Sequence, residues 1–485
     1  MLTENNTSRK RSLGVQDFLG DPRLATCLET LKEFQKKTPL NVSDIVDENG
    51  HQYVNLVQKG GGVLGVALVG YTHILEQAGI RFLRLAGTSA GAINTALMTV
   101  IDRKEDTKSE KILKIICDLK FFSFVDGHPV ARWLIKNFIT NKGFTGKLKS
   151  RVFLFLGLFA ALIASDILLV GLEQALPVLH VLTVVSFVFT GFYVVLLAAF
   201  GFYISSLLKR LKNSGFGINP GDAFYDWLKK NMADYGVSTV TQLREKAAQP
   251  VPGIKLREGC NADPVKMDGD VTFIASELVT ENKIQFPLMC DLFRPADLVN
   301  DLSPAGFVRA SMAIPVFFES YFIKDIPVNH PEIQLAWQTR FEIDKPPSST
   351  RFVDGGMLSN FPLSIFYNPD ITTPALPTFG IDLDDTEPGN KEQDPAGWSP
   401  VGYLGRMFNT IRYYYDKDFM LKNKVYERGV GKVSLSEYNW LNFFMSDKDK
   451  LEMFIKGAQA ATEFLTNFDW EAYKNDRINY ARTKR

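Results

Sequence analysis

Cysteine is scarce in this sequence and widely spaced. The chain has four cysteines in 485 residues, Cys27, Cys117, Cys260 and Cys290, and no two of them form a CxxC pair. Disulfide scaffolds and cysteine zinc sites both require clustered cysteines. The spacing therefore argues against either kind of site and favours a protein that works in a reducing compartment.

An excess of charge is also lacking. The formal net charge is +1, so no global electrostatic field attracts nucleic acid, and we expect no nucleic-acid partner. The hydrophobic fraction of 46% and the charged fraction of 22% are typical of a folded protein. A chain of 485 residues exceeds what one hydrophobic core usually organises. This length predicts two structural units, or one domain with a large insertion.

The N-terminus lacks the apolar run of a signal peptide. Residues 1–20 are polar and include Arg9, Lys10 and Arg11. We therefore expect the chain to begin in the cytoplasm. Apolar spacing predicts a helix at about Val15–Lys37 within this N-terminal part of the chain.

Charged residues are almost absent from a long apolar block. Val152–Leu172 contains one of them, Asp166, and Val178–Leu208 contains none. Each stretch is long enough to cross a bilayer, which needs roughly 20 residues. Basic residues stand at both outer ends of the block, and Glu173 lies between the two stretches. The positive-inside rule then predicts a membrane hairpin with both ends on the cytoplasmic side.

Two other interpretations of the apolar block are open. A pair of buried core helices is one, although such helices usually show a polar face. An amphipathic lid on the surface is the other, but both stretches are apolar all round. The composition favours the membrane hairpin.

Outside the block, the chain has the pattern of a parallel α/β sheet. Strand, glycine-rich turn and helix follow one another twice before residue 100, since short buried strands are predicted at Tyr53–Gln58 and Phe82–Ala86 and a helix at Val63–Gln77. Val271–Glu277 and Phe379–Leu383 are also strand-like. The C-terminal part, from about Tyr403, is predicted to be helical.

A glycine-rich turn between the first strand and helix has the sequence GGGVLG, with glycines at Gly60, Gly61, Gly62 and Gly65. Glycines let backbone N–H groups point into an anion-binding concavity, and the helix N-terminus adds a favourable dipole. The pattern also fits a dinucleotide-binding turn, which requires an acidic residue at the end of the second strand. That strand ends in Gly-Thr-Ser and has no acidic residue there, which argues against a dinucleotide-binding turn. A Walker loop is excluded because its Gly-Lys-Ser/Thr ending is missing.

A second turn, GTSAG, has the form G-x-S-x-G and runs from Gly87 to Gly91. The pattern occurs by chance as an ordinary Gly/Ser turn. Here a predicted strand precedes it and an apolar helix follows it, which is the context of a nucleophile elbow. Ser89 is therefore the candidate nucleophile.

A base for Ser89 is hard to find among the histidines. In an α/β-hydrolase the catalytic histidine follows the serine and the acid along the chain. Nothing after His330 is histidine, which argues against a histidine-dependent triad, although His330 stays open as an alternative. The remaining four are His51, His73, His128 and His180.

Asp354 offers another base. It ends a short predicted strand and is followed by Gly355 and Gly356. A partly desolvated carboxylate bonded directly to a serine hydroxyl can act as its general base. Taken alone, Asp-Gly-Gly is also a plain turn.

Together and in this order, the three motifs resemble those of the patatin-like phospholipase family, whose pattern is G-G-G-x-x-G, G-x-S-x-G and D-G-G/A. The segment Ala310–Phe317 also resembles the Ala-Ser-x-x-x-Pro segment of that family. The apolar block is not part of the basic patatin domain. The resemblance implies a Ser89–Asp354 dyad and an oxyanion hole at Gly60, Gly61 and Gly62.

The resemblance further implies a three-layer α/β/α fold with a mainly parallel sheet, and a serine lipid acyl hydrolase of the phospholipase A or lysophospholipase type that needs no metal or other cofactor. Its substrate would be a phospholipid or other acyl-ester lipid of a membrane. A lipid acyltransferase with the same dyad and a non-catalytic membrane scaffold are the alternatives. We expect an N-terminal tail and helix (1–50), a discontinuous catalytic domain (51–150 and 211–390), a hairpin insertion (151–210) and a helical C-terminal extension (391–485).

Overall fold

The computed structural model describes residues 12–140, 144–213, 215–368, 370–384 and 400–484. The chain forms two compact units. One comprises the residues up to Asp126 together with those from Gly221 onward, and the other is Gly127–Pro220. The first part of the predicted N-terminal tail (1–11) and the predicted boundary near residue 390 lie outside the described residues.

The larger unit is built on a ten-stranded mixed sheet. Its main path runs β12-β11-β2-β3-β6-β10-β9, with β1, β5 and β7 attached at the sides. In chain order, the strands of the described residues are β1 (Ile45–Val46), β2 (Gln52–Gln58), β3 (Ile80–Thr88), β4 (Gly217–Asn219), β5 (Lys255–Leu256), β6 (Asp270–Glu277), β7 (Lys283–Phe286), β8 (Val316–Phe318), β9 (Tyr321–Ile323), β10 (Thr350–Asp354), β11 (Thr378–Asp384) and β12 (Val430–Ser434).

Five neighbouring strands of this sheet are parallel, from β12 to β6. The central ones, β2 and β3, are buried over almost their whole length, as expected for parallel strands covered on both faces. Beyond β6 the sheet turns antiparallel, through β10 and β9. The predicted α/β fold with a mainly parallel sheet is confirmed, and its antiparallel side makes the sheet mixed.

Helices surround the sheet in the larger unit. They are α1 (Val15–Leu19), α2 (Pro22–Lys37), α3 (Val66–Gln77), α4 (Ala90–Val100), α5 (Ser109–Asp118), α9 (Asp222–Asp234), α10 (Val240–Ala248), α11 (Pro304–Ser311), α12 (Pro331–Phe341), α13 (Pro400–Lys422), α14 (Asp447–Asn467) and α15 (Trp470–Lys484), and the smaller unit holds α6 (Pro129–Thr140), α7 (Phe144–Glu173) and α8 (His180–Asn213).

The single helix predicted at Val15–Lys37 is wrong, because the chain breaks between α1 and α2. Asp21 has an extended backbone, and its side chain accepts a hydrogen bond of 2.9 Å from the backbone N–H of Arg23. Pro22 follows at the first helical position, where its fixed φ favours a helix start and its missing N–H is not needed. A cap and a proline therefore begin a new helix there.

A strand lies inside the region that we predicted to be a helical C-terminal extension. The five residues of β12 pair in parallel with β11 and extend the central sheet. The helix after it, α14, packs against α3. The short sequence Val-Gly-Lys-Val-Ser carries too weak an alternation to be recognised as a strand without its partner.

Two glycines allow α3 and α14 to approach closely. A Cβ atom at Gly70 would lie 1.9 Å from the carbonyl oxygen of Phe454, and one at Gly457 would lie 1.9 Å from that of Ala67. Real Cβ atoms do not come so near backbone oxygen. The contact between the helices therefore depends on the absence of a side chain at both positions.

We expect Gly457→Ala to destabilise the larger unit by about 1–3 kcal/mol, the usual effect of forcing extra atoms into a packed interior. The measurement is the free energy of unfolding from denaturant melts, with Gln459→Ala on the exposed face of α14 as the control. Equal stability of the two variants would show that the helices separate without penalty.

The smaller unit contains two long apolar helices, as predicted. Both α7, of 30 residues, and α8, of 34, contain stretches long and apolar enough to cross a membrane, by length and composition. Large apolar side chains cover their surface, and Phe153 is 72% and Phe202 80% exposed. The single charged residue of the first predicted stretch, Asp166, is buried and accepts a hydrogen bond from Ser186 of α8. This bond gives the carboxylate a partner between the helices.

Candidate active site

Ser89 lies in the sharp turn between β3 and α4. Its backbone has φ 53° and ψ −120°, a conformation that costs a residue with a side chain of order 1–3 kcal/mol. Glycines on both sides make the turn possible: a Cβ at Gly87 would come within 2.4 Å of Gly91, and one at Gly91 within 2.1 Å of the carbonyl oxygen of Gln58. The predicted strand–turn–helix context of the serine is thus observed.

The hydroxyl of Ser89 donates a hydrogen bond of 2.6 Å to Oδ2 of Asp354, at the end of β10. The second carboxylate oxygen, Oδ1, accepts from the backbone N–H of Gly356 at 2.7 Å. Both side chains are buried, with Ser89 4% and Asp354 6% exposed. The carboxylate is therefore oriented, and largely shielded from water, with one oxygen directed at the serine.

Gly355 and Gly65 keep backbone segments close to this pair. A Cβ at Gly355 would lie 2.1 Å from the carbonyl oxygen of Ile274, and one at Gly65 would lie 3.0 Å from Cβ of Ala90, the residue after the nucleophile. A side chain at Gly355 would therefore push the chain next to Asp354 away from Ile274, and one at Gly65 would crowd Ala90, the residue after Ser89.

The histidines have other surroundings. His51 contacts Asp47 at 2.9 Å, His73 contacts Ser109 at 3.1 Å, and His180 contacts Glu173 at 2.6 Å. Nδ1 of His128 accepts from the backbone N–H of Val130, and Nδ1 of His330 is buried without a partner in the described chain. The hydrogen bond that the Ser89 hydroxyl donates goes to a carboxylate.

The three glycines of the first motif differ in what their N–H groups do. That of Gly60 donates to the carbonyl oxygen of Asn360 at 3.0 Å. Those of Gly61 and Gly62 make no hydrogen bond within the described part of the chain. Gly62 has φ +56°, and a Cβ there would lie 2.2 Å from the carbonyl oxygen of Trp440. Two adjacent N–H groups of this loop are therefore without a partner in the described chain, next to Gly60, which approaches Ser89.

Ser311 and Asn360 also belong to the site, although sequence reasoning assigned them no role. The hydroxyl oxygen of Ser311 accepts a 2.9 Å hydrogen bond from the backbone N–H of Ser89, so the Ala-Ser-x-x-x-Pro segment contacts Ser89 directly. The amide of Asn360 donates to the carbonyl oxygen of Gly60 at 3.2 Å. Together with the Gly60 N–H bond, this clamps the glycine loop to the chain just after Asp354.

Asp416 of α13 in turn holds the segment of chain that follows Asp354. Its carboxylate accepts from the hydroxyl of Ser359 at 2.8 Å and from the backbone N–H of Phe361 at 2.7 Å. The carbonyl oxygen of Ser359 accepts from the hydroxyl of Thr88, next to the nucleophile. Burial raises the pKa of Asp416 to about 6, although its hydrogen bonds favour the charged form.

Within the described residues, no group of three or more His, Cys, Asp or Glu side chains is arranged to hold a metal ion.

The fold is α/β, and a serine in a strand–turn–helix elbow donates a hydrogen bond to a buried carboxylate. These two features together define a class of proteins with a serine–carboxylate site. Residues 56–367, more than half of the chain, match the sequence pattern of the patatin-like phospholipase family. The chain belongs to that family, and the matched domain indicates a lipid acyl hydrolase.

Two further similarities concern individual proteins. Over 46 residues, 10% of this chain, it is 54% identical to the uncharacterized protein YqhO of Bacillus subtilis (strain 168), and the match spans only 16% of that protein. The crystal structure of VipD from Legionella pneumophila aligns with a TM-score of 0.36 at 14% identity, over 88% of this chain and 70% of VipD.

The raised pKa of Asp416 predicts a pH-dependent stability. Because the folded state holds this proton more tightly than the unfolded state, the group stabilises the fold fully below about pH 4, and that contribution is lost as the pH rises towards 6. Asp416→Asn removes the titration, so its stability relative to the wild type should rise by up to ~3 kcal/mol between pH 4 and pH 7. Denaturant melts at several pH values measure this, with exposed Asp344→Asn as the control. Parallel pH profiles of Asp416→Asn and the wild type would contradict the prediction.

Proposed function

We propose that the protein is a serine lipid acyl hydrolase of the phospholipase A or lysophospholipase type, with Ser89 as nucleophile and Asp354 as its base. The observation that carries this proposal is the 2.6 Å hydrogen bond from the serine hydroxyl to a buried, oriented carboxylate. The substrate class follows from the family, and we place it among the acyl-ester lipids of a membrane.

In the first half of the reaction, Oγ of Ser89 attacks the ester carbonyl carbon while its proton moves to Oδ2 of Asp354. The carbonyl oxygen becomes negatively charged and accepts hydrogen bonds from the N–H groups of Gly61 and Gly62. One such donor is commonly worth about 10²–10³ in rate. The N-terminus of α4 favours the same negative charge. Collapse of the tetrahedral intermediate breaks the ester bond, and Asp354 gives the proton to the departing alcohol.

In the second half, water attacks the acyl group on Ser89, and Asp354 takes a proton from that water. When the acyl–enzyme bond breaks, the proton returns to Oγ of Ser89 and the fatty acid leaves. Gly60 has a supporting part in this scheme, because its N–H group is already bonded to Asn360. It holds the loop in place, while the next two residues provide the donors.

We expect Ser89→Ala and Asp354→Asn each to lower esterase activity by at least a thousandfold, since each removes one member of the dyad. Purified variants are assayed on a phospholipid and on a soluble ester, and lipid products are identified by mass spectrometry. Ser238→Ala and Asp344→Asn, at exposed positions, are the matched controls. Labelling of Ser89→Ala by a fluorophosphonate probe at the wild-type rate would refute the assignment of the nucleophile.

We further propose that α7 and α8 form a transmembrane hairpin inserted into the catalytic domain, so that residues 151–210 divide it into 51–150 and 211–390. Two features support this. The exposed surface of both helices is apolar, and basic residues flank them, with Lys147 and Lys149 before the apolar stretch and Arg210 and Lys212 in the last turn of α8. The larger unit, formed from chain on both sides, would then face the cytoplasm. Anchoring would keep the site near its lipid substrate and raise the local substrate concentration.

This topology predicts which cysteines an impermeant reagent reaches. In a chain with Cys117 and Cys260 replaced by serine, a maleimide added to intact cells should label Ala175→Cys, in the turn between the helices. It should label exposed Asp344→Cys only after lysis. The reverse pattern, or release of the protein from membranes by alkaline carbonate, would overturn the proposed hairpin.

A further inference from the structure

An apolar pocket lies beside the glycine loop in the larger unit, between α3 and α4 and next to α5. Its empty space amounts to about 430 Å³ when the open mouth is counted. None of the mechanism's steps uses this space.

The pocket begins next to the reacting groups. Gly62, which provides one of the available N–H groups, and Ala90, which directly follows the nucleophile, both form part of its wall. Both are adjacent to groups that would contact the ester carbonyl. A carbonyl carbon bound at Ser89 would therefore have one of its substituents close to the mouth of this pocket.

The wall deeper in the pocket is made of buried aliphatic and aromatic side chains. Val69 of α3, Leu97 of α4 and Ile112 of α5 are at most 1% exposed. Trp227 of α9 also forms part of the wall. Asn94 is the polar side chain of the wall; its amide nitrogen donates to Gln58 at 2.5 Å, and its oxygen has no partner in the described chain.

We infer that this pocket binds the fatty-acyl chain of the substrate during both halves of the reaction, an inference that rests on the proposed function. Of the two substituents of the ester carbonyl, the acyl chain is the one without charge. The alcohol part of a phospholipid carries a phosphate, and an apolar wall without a cationic side chain would not stabilise it. The alcohol part therefore leaves on the side away from α5.

With this assignment, the residues that line the pocket determine which length of acyl chain the enzyme prefers. Each buried methylene group improves transfer from water by an amount equivalent to about fourfold in binding. The preference for a long over a short acyl chain should thus grow until the chain has filled the pocket. A side chain that fills the pocket should reduce the preference, and one that enlarges it should extend the preference to longer chains.

The test compares two isoleucines that are adjacent on α5. Ile116 lines the pocket, whereas Ile115 does not. For Ile116→Phe we expect the ratio of kcat/KM for a nitrophenyl decanoate to that for the butyrate to fall by at least tenfold. For Ile115→Phe the ratio should stay within twofold of the wild type. Leu119→Ala, also in the wall, should raise the ratio for a hexadecanoate over the decanoate.

A second readout avoids turnover. The rate at which decyl and butyl fluorophosphonates label Ser89 should show the same change of ratio in Ile116→Phe. If that variant does not fold, Ile93→Phe, in the half-buried part of the wall on α4, replaces it. The inference would be overturned, with the hydrolase left intact, if Leu119→Ala and Ile116→Phe (or its replacement Ile93→Phe) kept the wild-type ratios. A wild type that hydrolyses no ester and takes up no probe would instead refute the proposed function itself.

Discussion

The position of one strand, β6, fixes the distance between the side chains of Ser89 and Asp354. It lies between β3, which ends just before Ser89, and β10, which ends with Asp354. Thr88 is level with Ile274 in the parallel pairing, and Asp354 is level with Ala275 in the antiparallel one. Two neighbouring residues of a single strand therefore set serine and carboxylate at the same height in the sheet. The 2.6 Å hydrogen bond between chain segments 265 residues apart follows from this register.

Much of this arrangement is readable from the sequence, because the glycines are required locally. The nucleophile turn cannot pass under β2 with a side chain at Gly91, and the chain after Asp354 cannot pass Ile274 with one at Gly355. Such close approaches leave the same short patterns wherever they occur. The turns at Ser89 and Asp354 could be predicted for this reason, and the resemblance of the motifs to the family implied the pairing of the two residues.

The supporting residues could not be predicted, since their roles depend on contacts between distant elements. Asp416 belongs to a helix whose sequence gives no sign that one carboxylate turns inward, and only the packing of α13 brings it to Ser359 and Phe361. In the sequence alone Asn360 is an ordinary turn residue, and its role depends on the hydrogen bond from its amide to Gly60. The short β12 needs β11 beside it to be a strand. Secondary-structure propensity and hydrophobic periodicity depend on residues that are close along the chain. These contacts join residues that are far apart along it.

The order of the elements along the chain has a consequence for biosynthesis. The nucleophile turn is translated before the apolar helices, whereas β6, Asp354 and the segment that clamps the glycine loop are all translated after them. A ribosome that has made residues up to Asn213 has produced Ser89 without Asp354 and without β6, the strand that lies between β3 and β10. With the proposed dyad and membrane hairpin, the nascent chain is inert until its hairpin has emerged, and the site first becomes competent at a membrane.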